Sequence, residues 1–298
     1  MITNQVWVGS GAAVIAGLIA VVNWSYKIPE IKVIDERATG LVIEYNYPKR
    51  DNRNYLLGLI TSGSSILFKK ENGDWNSYSN NVIIMESRAP FNLSGKSFLP
   101  FSAPNSHYMI VKNNIRRTFR VRERYHEYQY SNFRLITESE RSEDVHRLLT
   151  ALDKHISKLA SDTRFTLLPF DVIMVDLPIP SVILNDNRMI IGNKDRLMEL
   201  LHEFSHVISM FNNYKVLEAS LYLYRNPHRF AESKYFDTKV GHPHTNISEM
   251  IASIITLYIA GKDPELSGKD RGMFQMIISH YRLDELRGEI SGIIGKRE

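Results

Sequence analysis

The chain has 298 residues, 43% apolar and 23% charged, a balance that excludes a largely disordered chain and allows one large or two ordinary domains. Lys and Arg number 37 against 33 Asp and Glu, a net charge of +4 that is too mild for nucleic-acid binding, so no nucleic acid is expected as a partner. Cysteine is absent, which excludes a disulfide framework, an iron–sulfur cluster, a cysteine nucleophile and a thiolate zinc site; any metal must be held by His, Asp or Glu.

Residues 1–26 carry no charged side chain, and residues 6–22 form an unbroken apolar-or-small run bracketed by Trp7 and by Trp24 and Tyr26. As a helix, residues 5–24 span about 30 Å, the thickness of a bilayer core, with aromatic residues at both interfaces. No basic residue precedes the run and no small-x-small cleavage site follows it, which argues against a cleaved signal peptide. A buried core helix is the competing expectation. The expectation adopted is an uncleaved single-pass transmembrane helix over residues 1–26, meeting the lipid bilayer through residues 5–24. Lys27, Lys32 and Arg37 follow the span and favour a cytoplasmic body.

From residue 31 the sequence turns to short β-branched and aromatic runs: IKVIDE, GLVIEYNY, YLLGLI, SILFKK, NVIIMES and HYMIVKN. Clusters of Asn, Asp, Gly, Ser and Pro separate them, which predicts a β-rich domain over residues 27–137, a small sandwich or barrel. In TFRVRERY, Arg120, Arg122 and Arg124 alternate onto one strand face, most simply a solvated one.

Composition changes near Thr137. Ser142 suits the N-cap of a helix reaching about Leu159, and strands are expected at residues 170–175 and 188–191, joined by a Pro-containing loop. Asp195 opens a further helix. This order predicts an α+β domain over residues 138–298.

Residues 200–208 read LLHEFSHVI. On a helix His202 and His206 share a face and both imidazoles can reach one ion, while Glu203 lies close enough to activate water without binding the metal. Leu197, Leu200, Leu201, Phe204, Ile208 and Phe211 form an apolar stripe on the other side, suited to docking on a core. Chance produces this pattern about 0.02 times in a chain of this composition. A hydrolytic zinc site uses three protein ligands and one open position. The third ligand must come from elsewhere in the His, Asp and Glu set; Ser209 and Asn212 stand where a metzincin needs Gly and His, and a glutamate on a later helix remains, with Glu218, Glu232 and Glu249 as candidates. Glu249 is favoured because it opens a helix with no other charge from Met250 to Gly261, where coordination would offset the cost of a carboxylate on a packed helix. Glu218 is the runner-up, since a turn at Asn212-Asn213 would fold its helix back beside His206; Glu232 lies in a polar stretch.

On these residues the stretch from about residue 187 to 262 resembles the zincin metallopeptidases, in the gluzincin branch whose third zinc ligand is glutamate. HEFSH followed by HPHTNISEMIA looks most like the anthrax lethal-factor-like peptidase domain. Thr245-Asn246 and Glu249 match that family, whereas His242 occupies the place of a tyrosine and Ser253 that of an acidic residue beside the ligands. The resemblance implies that His242 steadies the oxyanion, with Tyr235 as a second candidate, and that Ser253 supports a ligand imidazole. It also implies that Arg188, Met189, Ile190 and Ile191 form an edge strand that pairs with an extended peptide. Membrane-alanyl-aminopeptidase-like enzymes also carry a β-domain before such a core, but their ligand glutamate would fall at Arg225.

The expected function is that of a membrane-anchored zinc metallopeptidase acting on a peptide or protein: His202, His206 and Glu249 hold Zn2+, and Glu203 deprotonates the attacking water. One alternative is a structural or binding protein of an envelope or virion with an inactive or stabilising zinc site. Another is a zinc amidase acting on a non-protein substrate.

Overall fold

The structure, a computed structural model, describes residues 30–46, 67–71, 74–77, 83–87, 94–100, 107–112, 115–120, 125–163, 165–179, 181–184, 187–192, 196–225 and 245–294. It is a mixed α/β protein that divides into two units, Met1–Glu123 and Arg124–Glu298. The expected anchor, the YLLGLI run, Arg122, Arg124, Glu232, Tyr235 and His242 lie outside the described residues. Among those described, no helix is long and apolar enough to cross a membrane.

Among the described residues of the first unit, eight strands form two antiparallel sheets. One has the order β1-β2-β6-β5, from β1 (Glu30–Glu36), β2 (Gly40–Asn46), β5 (Ile83–Ser87) and β6 (Ser94–Pro100). The other has the order β4-β3-β7-β8, from β3 (Leu67–Glu71), β4 (Asp74–Ser77), β7 (His107–Lys112) and β8 (Ile115–Arg120). Leu41, Val42, Ile43 and Phe98 are buried where β2 and β6 pair.

The second unit begins with β9 (His126–Gln129) and β10 (Phe133–Thr137), then α1 (Glu143–Thr163), β11 (Phe170–Met174), β12 (Val182–Leu184) and β13 (Arg188–Ile191). Five helices follow: α2 (Arg196–Ser209), α3 (Tyr214–Tyr224), α4 (Ile247–Ile259), α5 (Gly268–His280) and α6 (Leu283–Ile294). The strands make one mixed sheet, β12-β13-β11-β10-β9, in which β10, β11 and β13 run parallel and the two outer strands antiparallel. The unit boundary at 123/124 therefore precedes the 137/138 break read from composition. Phe133 to Thr137 pair in register with Phe170 to Met174, so the change near Thr137 ends a strand of this sheet rather than a domain.

The apolar stripe of α2 docks as its spacing predicts, with Leu197, Leu200, Leu201, Phe204, Ile208 and Phe211 all buried. Phe204 anchors it to the sheet, its ring centroid 5.1 Å from that of Phe133 and 6.0 Å from that of Phe170. Helix α4 is buried at every position from Met250 to Ile259, as expected of a helix apolar all round, and packs mainly on α2. This packing brings the first turn of α4 to the histidines of α2.

One expectation is corrected here. Arg188, Met189, Ile190 and Ile191 are not an edge strand, because β13 pairs with β11 on one side and β12 on the other. All four residues are buried, the signature of an interior strand rather than the alternation of an edge. The edge is β12, which arises inside the Pro-containing loop.

Gly192, directly after β13, is required by a close approach. A Cβ there would lie 1.9 Å from the backbone oxygen of Ile179 in the loop leading to β12. Gly192→Ala should therefore destabilise the chain by about 3 kcal/mol. Denaturant unfolding measures this, and a loss below about 1 kcal/mol would mean that the loop gives way at little cost.

Candidate metal centre

Helix α2 turns the histidines of HEFSH toward α4 and Glu203 toward the cleft. Asn246 caps α4, its side-chain oxygen accepting the Glu249 amide at 2.9 Å, and so fixes the helix start with Glu249 in the first turn. His202 Nε2 then lies 3.3 Å from one carboxylate oxygen of Glu249, and His206 Nε2 lies 3.5 Å from the other. Ligand atoms about 2.0–2.1 Å from a tetrahedral ion are about 3.3–3.4 Å apart, so each imidazole stands near that spacing from one oxygen of the carboxylate. Among the described residues these three are the group able to hold a metal, with their ligand atoms within 4.8 Å of one another. Glu218 is exposed on α3 and does not join them.

The residues behind the histidines differ from expectation. Ser253 is fully buried, but among the described residues its hydroxyl has no hydrogen-bond partner and supports neither imidazole. Thr256, one turn further along α4, takes that place, with its Oγ1 3.4 Å from His202 Nδ1. The Thr256 hydroxyl lies 2.7 Å from the Ala252 carbonyl and 2.9 Å from Ser205 Oγ, while Ser205 donates to the Leu201 carbonyl at 2.7 Å. A hydroxyl has one hydrogen, so with it turned to Ala252 a lone pair of Thr256 faces His202. When it accepts from Nδ1–H, Nε2 is the nitrogen left to bind an ion beside Glu249. Ser248 Oγ stands in the same relation to His206 Nδ1, also at 3.4 Å. Ser253, which the resemblance suggested, and Thr256 both lie on the Glu249 side of α4 by helical spacing; which of the two meets His202 depends on how the helices cross.

Burial also sets the protonation states. The His206 imidazole is held below its ordinary pKa by desolvation, partly offset by the Glu249 charge, and is neutral at pH 7. The Glu203 carboxyl is pushed up to about 8, first by burial and then by the charges of Glu249 and Glu199. In the metal-free protein it is therefore mostly protonated at neutral pH.

Glu203, His206 and Glu249 open onto a cleft of about 640 Å3. Its walls include β12 and Ser181, the start of β13, Phe165 to Leu168, Met210 at the end of α2, and Asn246 and Ser248 at the start of α4. Phe165, Leu168, Ile183 and Met210 on these walls are large apolar side chains left exposed. The outer edge of β12 pairs with no strand among the described residues. An extended chain could hydrogen-bond there beside Glu203.

No protein-family model matches the chain, and no curated protein matches it. Among solved structures it is similar to an aminopeptidase N family protein from Idiomarina loihiensis, at 7% identity and a TM-score of 0.24. That alignment covers 59% of this chain, and the chain spans 46% of the other protein's length.

Proposed function

We propose that the protein is a zinc metallopeptidase with a zincin-like catalytic unit of the gluzincin kind, joined to a membrane by residues 5–24. The observation that carries the reading is the His202–Glu249–His206 arrangement, with the two Nε2 atoms 3.3 and 3.5 Å from the two oxygens of one carboxylate, beside a buried glutamate. His202, His206 and Glu249 would hold the ion. Zinc, when bound, supplies Lewis-acid polarisation and a positive field that favours the Glu203 carboxylate over its acid. Glu203 accepts a proton from water as that water attacks the peptide carbonyl, then returns it to the departing amine. The outer edge of β12 binds the substrate backbone, and the apolar rim excludes water around the scissile bond. His242 is proposed as the oxyanion donor on sequence grounds alone, with Tyr235 as the second candidate.

A stabilising zinc site without hydrolysis is the second reading. It is favoured by one observation: both ligand histidines are backed by hydroxyls at 3.4 Å where carboxylates would orient them more strongly. One experiment separates the two. Purified full chain should hold about one zinc per chain by elemental analysis and cleave a peptide library in a chelator-sensitive way. Stoichiometric zinc whose removal lowers stability, with no cleavage, selects the stabilising site; no zinc sinks both.

A further inference from the structure

The chain leading into β12 is fastened at Asp176 and at Ser181. At its start Asp176 accepts hydrogen bonds from Ser139 Oγ at 2.8 Å and Arg141 Nη1 at 3.0 Å, and its amide donates to Glu138 at 3.0 Å. At its end the Ser181 hydroxyl donates to Glu199 Oε2 at 2.5 Å and accepts from the Gly192 amide at 3.2 Å. Glu199 stands on α2 one helical turn before Glu203, so the two carboxylates project from the same side of the helix. The helix bearing the proposed proton acceptor thus also grips the strand on which a substrate would lie. β12 has three residues and, among the described residues, one partner strand, β13, so little else described in the sheet resists its fraying. A hydroxyl-to-carboxylate bond belongs to the stronger class of hydrogen bonds and supplies the missing restraint.

We propose that Glu199, acting through Ser181, is a positioning residue that fixes β12 at a set distance from Glu203, so that peptides long enough to pair along β12 are bound in preference to shorter ones. The proposal rests on the peptidase reading for its substrate consequence, while its structural half stands apart from that reading. Pre-ordering β12 spares a substrate the entropy of ordering the strand as it binds, so the benefit falls on KM. It scales with the number of backbone hydrogen bonds the substrate makes.

The test compares wild type with Ser181→Ala, Ser181→Thr and Glu199→Ala in the full chain, using a hexapeptide and a blocked dipeptide that reaches at most one residue of β12. Ser181→Ala and Glu199→Ala should raise KM for the hexapeptide about tenfold, the equivalent of one to two lost backbone hydrogen bonds, with zinc content nearly unchanged in both and kcat nearly unchanged in Ser181→Ala, which leaves the Glu199 charge beside Glu203 in place. The dipeptide should lose less than about twofold, and Ser181→Thr, which keeps the hydroxyl, should restore hexapeptide binding. Equal losses on both peptides, or none on either, overturn the proposal. Amide exchange over Val182–Leu184 reads the latch independently of activity. Exchange should accelerate about tenfold in Ser181→Ala and Glu199→Ala and return to wild-type rates in Ser181→Thr. Unchanged exchange rejects the latch even in an active enzyme. Faster exchange in a chain that cleaves nothing rejects the peptidase reading and leaves the latch standing.

Discussion

Glu203→Gln should abolish hydrolysis, retain the metal, and make the metal-free protein more stable in alkali. Glutamine nearly matches glutamate in shape and cannot accept the proton, so kcat should fall by about 1,000-fold or more. Zinc content should not change, because Glu203 is not among the residues facing the ion position. The stability half follows from the raised pKa. Burial and the Glu249 and Glu199 charges push the carboxyl from 4.5 to about 8 in the folded chain. A group raised in this way contributes stability that is complete below about pH 4.5, declines as pH rises, and is gone once pH passes about 8. Above that, the metal-free wild type carries a buried charge that Glu203→Gln does not. At about 1.4 kcal/mol per pKa unit the full difference would approach 5 kcal/mol, and relaxation with water entry brings a measurable gain nearer 2 kcal/mol. Denaturant unfolding of the two metal-free chains should nearly coincide at pH 5 and differ at pH 9, with the variant the more stable. Wild-type turnover in Glu203→Gln would end the proton-acceptor assignment. A variant less stable at pH 9 would show instead that Glu203 is stabilised as an anion.

The parts of the site that were legible in the sequence lie on single continuous helices. HEFSH and its opposing apolar stripe share one helical period, and Glu249 opens a helix with no other charge from Met250 to Gly261. Their convergence was inferable because one helix lacked any other charge. The pieces that were missed depend on partners distant in the chain. Strand β12 is three apolar residues inside a Pro-containing loop, too short for alternation to register, and it is a strand only because β13 lies beside it. Taking β13 for the edge came from resemblance, although RMII carries three consecutive apolar residues and so reads as an interior strand. The strand β6, Ser94–Pro100, holds Gly, Lys, Ser and Pro in seven residues and shows no strand pattern until β2 and β5 flank it. Thr256 rather than Ser253 behind His202 is a matter of where α4 crosses α2, which residue spacing on one helix does not encode.

Glu249→Ala should cost at least about 100-fold in zinc affinity, leaving two imidazoles and no anionic ligand. The effect follows from the geometry of a shared carboxylate. Each oxygen of Glu249 faces a different imidazole, at 3.3 and 3.5 Å, so its removal strips one ligand and also the charge that balances a dication between two neutral rings. Glu218→Ala, on the exposed face of α3, should bind zinc as the wild type does, which separates the two glutamates that sequence spacing left in competition. Stability gives a second readout. Free zinc at about 1,000 times its Kd should stabilise the wild type by about 4 kcal/mol, and at that same zinc concentration the Glu249→Ala chain should gain about 1.4 kcal/mol. Without metal the sign reverses in part. Glu249 helps to hold Glu203 in its acid form, so the metal-free Glu249→Ala chain should show a lower Glu203 pKa and lose less stability between pH 5 and pH 9 than the wild type. Zinc titration of Glu249→Ala and Glu218→Ala, followed by unfolding at the two pH values, tests both consequences. Equal zinc affinity in Glu249→Ala and wild type would mean that the two histidines hold the ion with some other partner.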